Sequence, residues 1–238
     1  MTVSPFERSG FQFSISGNFS LSPLIKYALC TLMPRAPSKR PLANRAAYSA
    51  RRYDVVAMGA SAGGLNALTK VLQSLPADFP SSMVVVQHLA PGYKSWIAHL
   101  LSRTTKLKVK QAEHGEIMMP GTVYVAPPDE HLLVGPGKVQ LAHSQLVHFS
   151  RPSIDLLFES VAGTYGSRSI GVVLSGSGKD GASGIRAIKE AGGITLAQSP
   201  DTAEFRHLPE AVIETGCVDF VLPLEKMGAT LAELCSVK

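Results

Sequence analysis

Three short apolar runs in this chain each end in a polar residue with glycines nearby. In chain order, the polar residues are Ser61, His88 and Asp180. These residue types can serve as a nucleophile, its general base and the acid that orients the base. Strand ends at the rim of an α/β sheet form ligand crevices. If the three strands are neighbours in the sheet, the chain therefore carries the triad of a hydrolase.

Ser61 lies in a G-x-S-x-G segment, Gly59-Ala60-Ser61-Ala62-Gly63. Small residues there permit a sharp turn that projects the serine hydroxyl above the sheet. The following helix would offer free N–H groups and a positive dipole end to a developing oxyanion. Two alternatives are a serine that only caps the helix and a glycine-rich turn that binds phosphate. The dinucleotide-binding pattern fails, because Ser61 replaces its second glycine and the next strand ends without an acid.

His88 directly follows an apolar run that ends at Gln87. A histidine at this end of a strand can reach a serine on the neighbouring strand, although a purely structural histidine is the alternative. Position on the sheet distinguishes His88 from the other histidines, which lie in a helical stretch, in the irregular middle of the chain or in a late loop. These are His99, His114, His131, His143, His148 and His207.

Asp180 lies in a loop with glycines on both sides, Gly176 to Gly181. Small neighbours let the backbone approach a site closely, and an acid there can accept a proton from an imidazole nitrogen. The alternatives are a metal ligand and a cap on the helix that starts near Ala182. A metal ion needs more oxygen ligands than the nearby Ser175 and Ser177 hydroxyls supply. The sequence therefore predicts neither a metal nor a cofactor.

The elements that must position these residues begin at Tyr53, where apolar β-rich runs alternate with helical stretches. The runs are almost entirely apolar, which indicates strands buried on both faces, as in a parallel sheet covered by helices. The alternation predicts an α/β fold with a doubly wound, mainly parallel sheet flanked by helices. The predicted strands are 54–58, 83–87, 170–174, 194–197 and 218–222, and the predicted helices are 65–75, 95–102, 154–162 and 184–190.

The alternation breaks between Val109 and Leu141. Three short apolar runs lie in this interval, at 123–125, 132–134 and 139–141, and Pro/Gly turns join them. They predict a short antiparallel hairpin near one edge of the sheet.

Charge divides the 238 residues into two parts. Residues 1–52 hold eight Lys or Arg against one acid, a net charge of +7, whereas the remainder has 15 basic and 17 acidic residues, a net charge of −2. The first part is also rich in Ser, Pro and Arg, which predicts a flexible basic extension. A nucleic-acid partner is not expected, because the body at 53–238 shows no basic stripe.

Two further features bear on location. No apolar stretch approaches the roughly 18 residues of a membrane helix, so membrane insertion is not expected. The three cysteines, Cys30, Cys217 and Cys235, have neither disulfide nor metal-ligand spacing. This usage favours a reducing cytoplasm.

Three glycine-containing stretches resemble the catalytic domain of the chemotaxis methylesterase CheB: 59–64, 87–92 and 176–182. The resemblance continues through 120–127, 151–155 and 190–198, and it covers roughly Tyr53 to Met227. It implies a triad of Ser61, His88 and Asp180 that hydrolyses glutamate γ-methyl esters on methyl-accepting chemoreceptors. In some members it also implies deamidation of receptor glutamines.

The chain departs from this family pattern at Ser177, where members usually have a methionine in a stretch whose backbone helps to bind the oxyanion. A backbone donor survives such a change, so the N–H groups of Ser177 and Ala62 are candidates for this role. The late loop 204–209 also differs from the usual G-M-P. The family normally carries an N-terminal phospho-receiver domain, and residues 1–52 are too short to form one, so no aspartyl-phosphate switch is expected here.

Two functions of other classes compete with the hydrolase. One is a non-catalytic module that keeps the fold and docks on receptors or related signalling proteins. The other is a nucleotide-binding domain, which the failed dinucleotide pattern disfavours. Labelling of Ser61 by a serine-directed fluorophosphonate would separate the hydrolase from the module.

Overall fold

The computed structural model describes residues 53–88 and 95–236. It contains nine strands in this part of the chain: β1 Val55–Ala60, β2 Ser82–Gln87, β3 Lys108–Gln111, β4 Thr122–Val125, β5 His131–Gly135, β6 Lys138–Ala142, β7 Ser169–Val173, β8 Ile194–Gln198 and β9 Phe220–Leu222. The α-helices are α1 Gly64–Gln73, α2 Ile97–Ser102, α3 Ile154–Tyr165, α4 Ala182–Glu190, α5 His207–Ile213 and α6 Leu224–Cys235.

Seven strands form one sheet in the order β3-β4-β2-β1-β7-β8-β9, and every neighbouring pair is parallel. The carboxyl ends of β1, β2 and β7 therefore lie side by side. The chain proceeds in one direction from β1 to β2 and joins the other side of β1 only at β7. Such a reversal of strand order opens a crevice at the carboxyl edge of the sheet, where ligands bind in this class of fold.

Helices cover both faces of the sheet. Alternate residues of β1 point to opposite faces, so Val56 and Met58 pack with one helical layer, while Val55 and Ala57 pack with the other. The first layer comprises α1, α2 and α6, and the second comprises α3, α4 and α5. Burial on both faces explains why these strands are almost purely apolar, and the doubly wound α/β fold is confirmed.

The hairpin is formed by β5 and β6, which pair as a separate antiparallel sheet. It packs on α3, where Val134 N donates to Ser160 Oγ at 3.1 Å and Thr164 Oγ1 donates to Val134 O at 3.2 Å. The run at 123–125 is not part of it, because β4 lies in the main sheet between β3 and β2. Parallel pairing with β2 buries that run completely.

Three elements have no counterpart in the sequence prediction: β3, α5 and α6. Strand β3 lies at the sheet edge, where Lys108 and Gln111 are exposed, so it lacks the apolar pattern of the central strands. The predicted basic extension at 1–52 lies outside the described residues. In the described part of the chain, no helix is both long and apolar enough to span a bilayer.

Candidate active site

Ser61 lies immediately after β1, at a turn whose main chain is held on both sides. Its N–H donates to Ser175 O at 3.0 Å, and its carbonyl accepts from Gly64 N at 2.9 Å and from Gln87 Nε2 at 2.6 Å. The cap of α1 is Gly63, with a left-handed φ of +70° and no side-chain cap bond. Ser61 is therefore not the helix cap, and its hydroxyl is left for another role.

Gly176 allows the loop after β7 to approach Ser61. A Cβ at this position would lie 2.8 Å from Ser61 Cβ and 2.6 Å from Leu208 Cδ2, closer than real Cβ contacts. The same loop is tied to the 204–209 segment, because Gly176 N donates to Phe205 O and Phe205 N donates to Ser175 Oγ, both at 2.9 Å. The absence of a side chain at Gly176 thus brings three segments together around the serine.

His88 lies beside Ser61 at the end of β2, where its N–H donates to Ala60 O at 2.9 Å. Its Nε2 lies 2.8 Å from Asp180 Oδ2, within hydrogen-bond distance. Two of the three predicted residues are therefore in direct side-chain contact, although 92 positions separate them in the chain. Within residues 53–88 and 95–236, the other ring nitrogen, Nδ1, has no hydrogen bond.

Ser61 and His88 are brought to neighbouring strand ends, but no hydrogen bond joins their side chains. Among the described residues, none of the hydrogen bonds involves Ser61 Oγ. Triad contacts of this kind often tighten only when substrate binds. The structure thus shows an assembled His–Asp pair with a nearby serine.

The carboxylate of Asp180 is buried and receives four donors. Oδ2 accepts from His88 Nε2 and from Ile154 N at 2.7 Å, while Oδ1 accepts from Ser153 Oγ at 2.9 Å and Asp155 N at 3.0 Å. Three of these donors belong to the start of α3, where unpaired N–H groups and the helix dipole favour an anion. Asp180 does not cap α4, whose N-cap is Gly181.

These contacts set the charge of Asp180. Burial by itself would raise the pKa of this carboxyl, but the hydrogen bonds from His88, Asp155 N and Ile154 N outweigh it and hold the pKa below its usual value. An ionised Asp180 can fix the ring of His88 and stabilise the imidazolium that forms during proton transfer.

A second buried carboxylate, Asp155, adjoins Asp180. Its Oδ1 accepts from Gly181 N at 2.8 Å and Gly184 N at 2.7 Å, the first donors of α4. Asp180 therefore accepts from backbone N–H groups at the start of α3, which contains Asp155, and Asp155 accepts from those at the start of α4, which follows Asp180. Burial first, and then the charge of Asp180, raise the pKa of Asp155 against the opposing effect of the Gly184 and Gly181 hydrogen bonds.

The sequence reasoning did not single out Asp155, nor the Ser153 hydroxyl that contacts Asp180. A Ser followed by an acid at the start of an apolar helical run is an N-terminal capping pattern. That signal could have identified both residues as helix-start groups, but it could not have indicated the partner helix.

The two backbone N–H groups proposed for the oxyanion are unpaired among the described residues. Within residues 53–88 and 95–236, the N–H groups of Ala62 and Ser177 have no hydrogen-bond acceptor. Both residues belong to loops that directly adjoin Ser61 or Gly176. They are free to donate to a bound ligand.

A cavity of about 220 Å³ opens next to His88. One wall is the segment 146–152, in which Leu146 and Phe149 expose 55% and 97% of their surface. Arg151 anchors this wall by donating to Asp129 Oδ1 from Nε at 2.9 Å and Nη2 at 2.6 Å. Neither Ser61 nor Asp180 lines this cavity, so it extends from the base and not from the nucleophile.

The structure also tests the other sites that the sequence raised. Buried His131 is structural: its Nδ1 accepts from Ser153 N at 3.1 Å, and its Nε2 lies 3.0 Å from Gln145 O. The part of the chain that the structure describes contains no group of three or more His, Cys, Asp or Glu placed to hold a metal ion.

Comparisons with known proteins agree with the geometry. The family model described as CheB methylesterase matches residues 56–231. A protein-glutamate methylesterase/protein-glutamine glutaminase of Anaeromyxobacter dehalogenans is 44% identical over 185 residues, which are 78% of this chain and 54% of that protein. The protein-glutamate methylesterase FrzG of Myxococcus xanthus is 40% identical, over 83% of this chain and 59% of that protein.

This chain thus spans little more than half the length of these two relatives. The crystal structure of the Thermotoga maritima CheB methylesterase catalytic domain superposes with a TM-score of 0.73 and 39% identity. The match covers 77% of this chain and 100% of that domain. The chain belongs to the CheB methylesterase family.

Proposed function

We propose that this chain is a serine hydrolase that demethylates glutamate γ-methyl esters on methyl-accepting chemoreceptors or related signalling proteins. The observation that carries the proposal is the 2.8 Å contact between His88 Nε2 and buried Asp180, at a strand end that adjoins Ser61. The names of the family and of its relatives supply the substrate class. A cytoplasmic site of action belongs to the same proposal.

In the proposed reaction, His88 Nδ1 takes the proton of the Ser61 hydroxyl as Oγ attacks the ester carbonyl. The carbonyl oxygen becomes an oxyanion, which the N–H groups of Ala62 and Ser177 stabilise. His88 then returns its proton to the departing methoxide, so methanol leaves and an acyl-enzyme remains. Water, activated by the same histidine, hydrolyses that ester to glutamate and regenerates Ser61.

The same groups can act on a glutamine side chain, with ammonia as the leaving group in place of methanol. The Anaeromyxobacter relative is named for both activities. The cavity wall at Leu146 and Phe149 supports a protein as the substrate, because its exposed apolar surface suits contact with another protein.

Methanol release from a methylated receptor tests the proposal. The Ser61→Ala variant should lose activity by about 10⁴-fold or more, because it lacks the attacking oxygen. Ser102→Ala is the matched control, since it removes an exposed hydroxyl at the end of α2 and should keep full activity.

Wild-type activity in the Ser61→Ala variant would sink the mechanism. Receptor binding without methanol release, and without labelling of Ser61 by a fluorophosphonate, would instead support the non-catalytic module.

A further inference from the structure

We propose that Asp155 is a positioning residue for the reaction proposed above: its Oδ1 fixes the 176–182 loop, and thereby the carboxylate of Asp180, against His88. Asp155 does not line the cavity and contacts none of the three triad side chains except through Asp180. Its effect is therefore on the geometry of the His–Asp pair and not on substrate contact.

The 176–182 loop has little backbone preference of its own. Gly178 and Gly181 have φ values of +91° and +116°, and glycine visits such regions at low cost but also leaves them easily. The bond from Gly176 N to Phe205 O holds the start of the loop, and the bond from Ala182 N to Lys179 O, at 3.1 Å, is local to its end. Neither bond ties the main chain beside Asp180 to α3, so a further anchor is needed there.

Asp155 Oδ1 is that anchor. It accepts from Gly181 N, the residue next to Asp180, and from Gly184 N in the first turn of α4. Both bonds are short and buried, and the Asp155 side chain is only 4% exposed. The position of Gly181 is thereby fixed relative to α3, which also supplies the Ile154 and Asp155 N–H donors to Asp180.

The two carboxylates are hydrogen-bonded reciprocally to the starts of two helices. Asp180 receives donors from the start of α3, and Asp155 receives donors from the start of α4. Two adjacent buried carboxylates repel each other, and six hydrogen-bond donors offset this repulsion, together with His148, whose Nε2 lies 3.4 Å from Asp155 Oδ2. Because one residue orients the other, a displacement of the Asp155 oxygen moves the acid that holds His88.

Three substitutions separate oxygen placement from charge. Asp155→Asn keeps an oxygen acceptor at the Oδ1 position without the charge, Asp155→Glu keeps the charge but moves the acceptor by one methylene, and Asp155→Ala removes both. Misplacement of a catalytic group by about 1 Å can reduce the rate on the order of 100-fold. We expect kcat to fall by about 10- to 100-fold in the Glu and Ala variants, and KM to stay within about twofold.

The Asn variant should keep kcat within about threefold of wild type, because its amide oxygen still accepts from Gly181 and Gly184. The spectroscopic readout is the proton NMR signal of the ring N–H shared by His88 and Asp180, measured in the full-length chain without substrate. The chemical shift of this signal should change in the Glu and Ala variants and stay the same in the Asn variant.

Asp219→Glu is the matched control. Asp219 is another largely buried carboxylate; it accepts from Thr195 N at 3.1 Å and pairs with Lys189, and it has no contact with the triad residues. Lengthening it should lower the melting temperature while leaving both kcat and the His88 signal unchanged.

A Glu variant that equals or exceeds the Asn variant in kcat would overturn the proposal, because charge and not oxygen placement would then matter. An unchanged His88 signal in folded Glu and Ala variants would also overturn it. The NMR readout needs no substrate, so it remains decisive even if the chain proves not to be an esterase. If the Ala variant does not fold, the Asn and Glu pair still gives the answer.

Discussion

The acid side and the nucleophile side of the site are built in opposite ways. The carboxylate of Asp180 has four donors and is buried, whereas the hydroxyl of Ser61 has no hydrogen bond within the described residues. The main chain of Ser61 is nevertheless held by Ser175, Gly64 and Gln87. The acid side is thus fixed at the side chain, and the nucleophile side is fixed at the backbone alone.

This contrast is what the proposed reaction requires. In that reaction Asp180 forms no bond to substrate, so full satisfaction of its lone pairs fixes His88 without blocking a reacting atom. Ser61 and the N–H groups of Ala62 and Ser177 are proposed to contact the substrate, and a protein partner for any of them would compete with it. A preorganised acid beside unoccupied donors is the arrangement that electrostatic catalysis requires.

The largest expected effect comes from the acid side. In Asp180→Asn, either orientation of the amide points an NH₂ group toward backbone N–H donors, and the charge that stabilises the His88 imidazolium is gone. We expect kcat to fall by about 10³- to 10⁴-fold with little change in KM. Steady-state methanol release checks this, and a loss below tenfold would show that the acid side is not preorganised for catalysis.

On the nucleophile side, Gly176→Ala should have an intermediate effect. Its Cβ would lie 2.8 Å from Ser61 Cβ, so the serine or the loop must shift. We expect kcat to fall by about 10- to 100-fold and the free energy of unfolding to fall by about 1–3 kcal/mol. Gly163→Ala is the control, since no atom lies within 4 Å of its added Cβ. It should stabilise α3 by about 0.5–1 kcal/mol in urea titrations.

The smallest expected effect is a pair of opposite pH dependences within the acid side. The pKa of Asp180 is lowered by folding, so its contribution to stability is present above its unfolded pKa of about 4 and is lost as the pH falls further. The pKa of Asp155 is raised, so its contribution is present below about 4 and is lost as the pH rises through its folded pKa.

Urea unfolding of the wild type, Asp155→Asn and Asp180→Asn from pH 3 to pH 7 measures how the contribution of each carboxylate to stability changes with pH. With rising pH, Asp155→Asn should gain stability relative to wild type, and Asp180→Asn should lose it. Slopes of the same sign would contradict this assignment of charge to the two carboxylates.

The sequence predicted that Ser61, His88 and Asp180 come to one edge of the sheet, because parallel strands bring their carboxyl ends together there. It identified β1, β2 and β7 by their apolar runs. Ser61 and His88 directly follow β1 and β2, and Asp180 lies in the loop after β7. The sequence was insufficient for Asp155, whose partners Gly181 and Gly184 lie 26 and 29 positions away on another helix. Backbone donors leave no side-chain pattern at their own positions, so such a partnership requires the packing of α3 against α4.

Periodicity also failed where an element was exposed or short. Strand β3 pairs with β4 through its main chain, and its partly exposed side chains carry no strand pattern. The run at 123–125 has the same apolar character as the hairpin strands. Its parallel pairing with β2 and β3 distinguishes it from them.

The ring orientation of His88 has a mechanical consequence. Asp180 contacts Nε2, the nitrogen farther from the backbone, so in the proposed reaction the proton of Ser61 goes to Nδ1. Nδ1 is bonded to Cγ, the ring carbon attached to Cβ, so it lies close to the main chain and moves little when the side-chain torsions change. Its location is determined by two side-chain torsions and by the main-chain bond of His88 to Ala60. In the proposed reaction, the position of Nδ1 relative to Ser61 therefore depends on the register between β1 and β2.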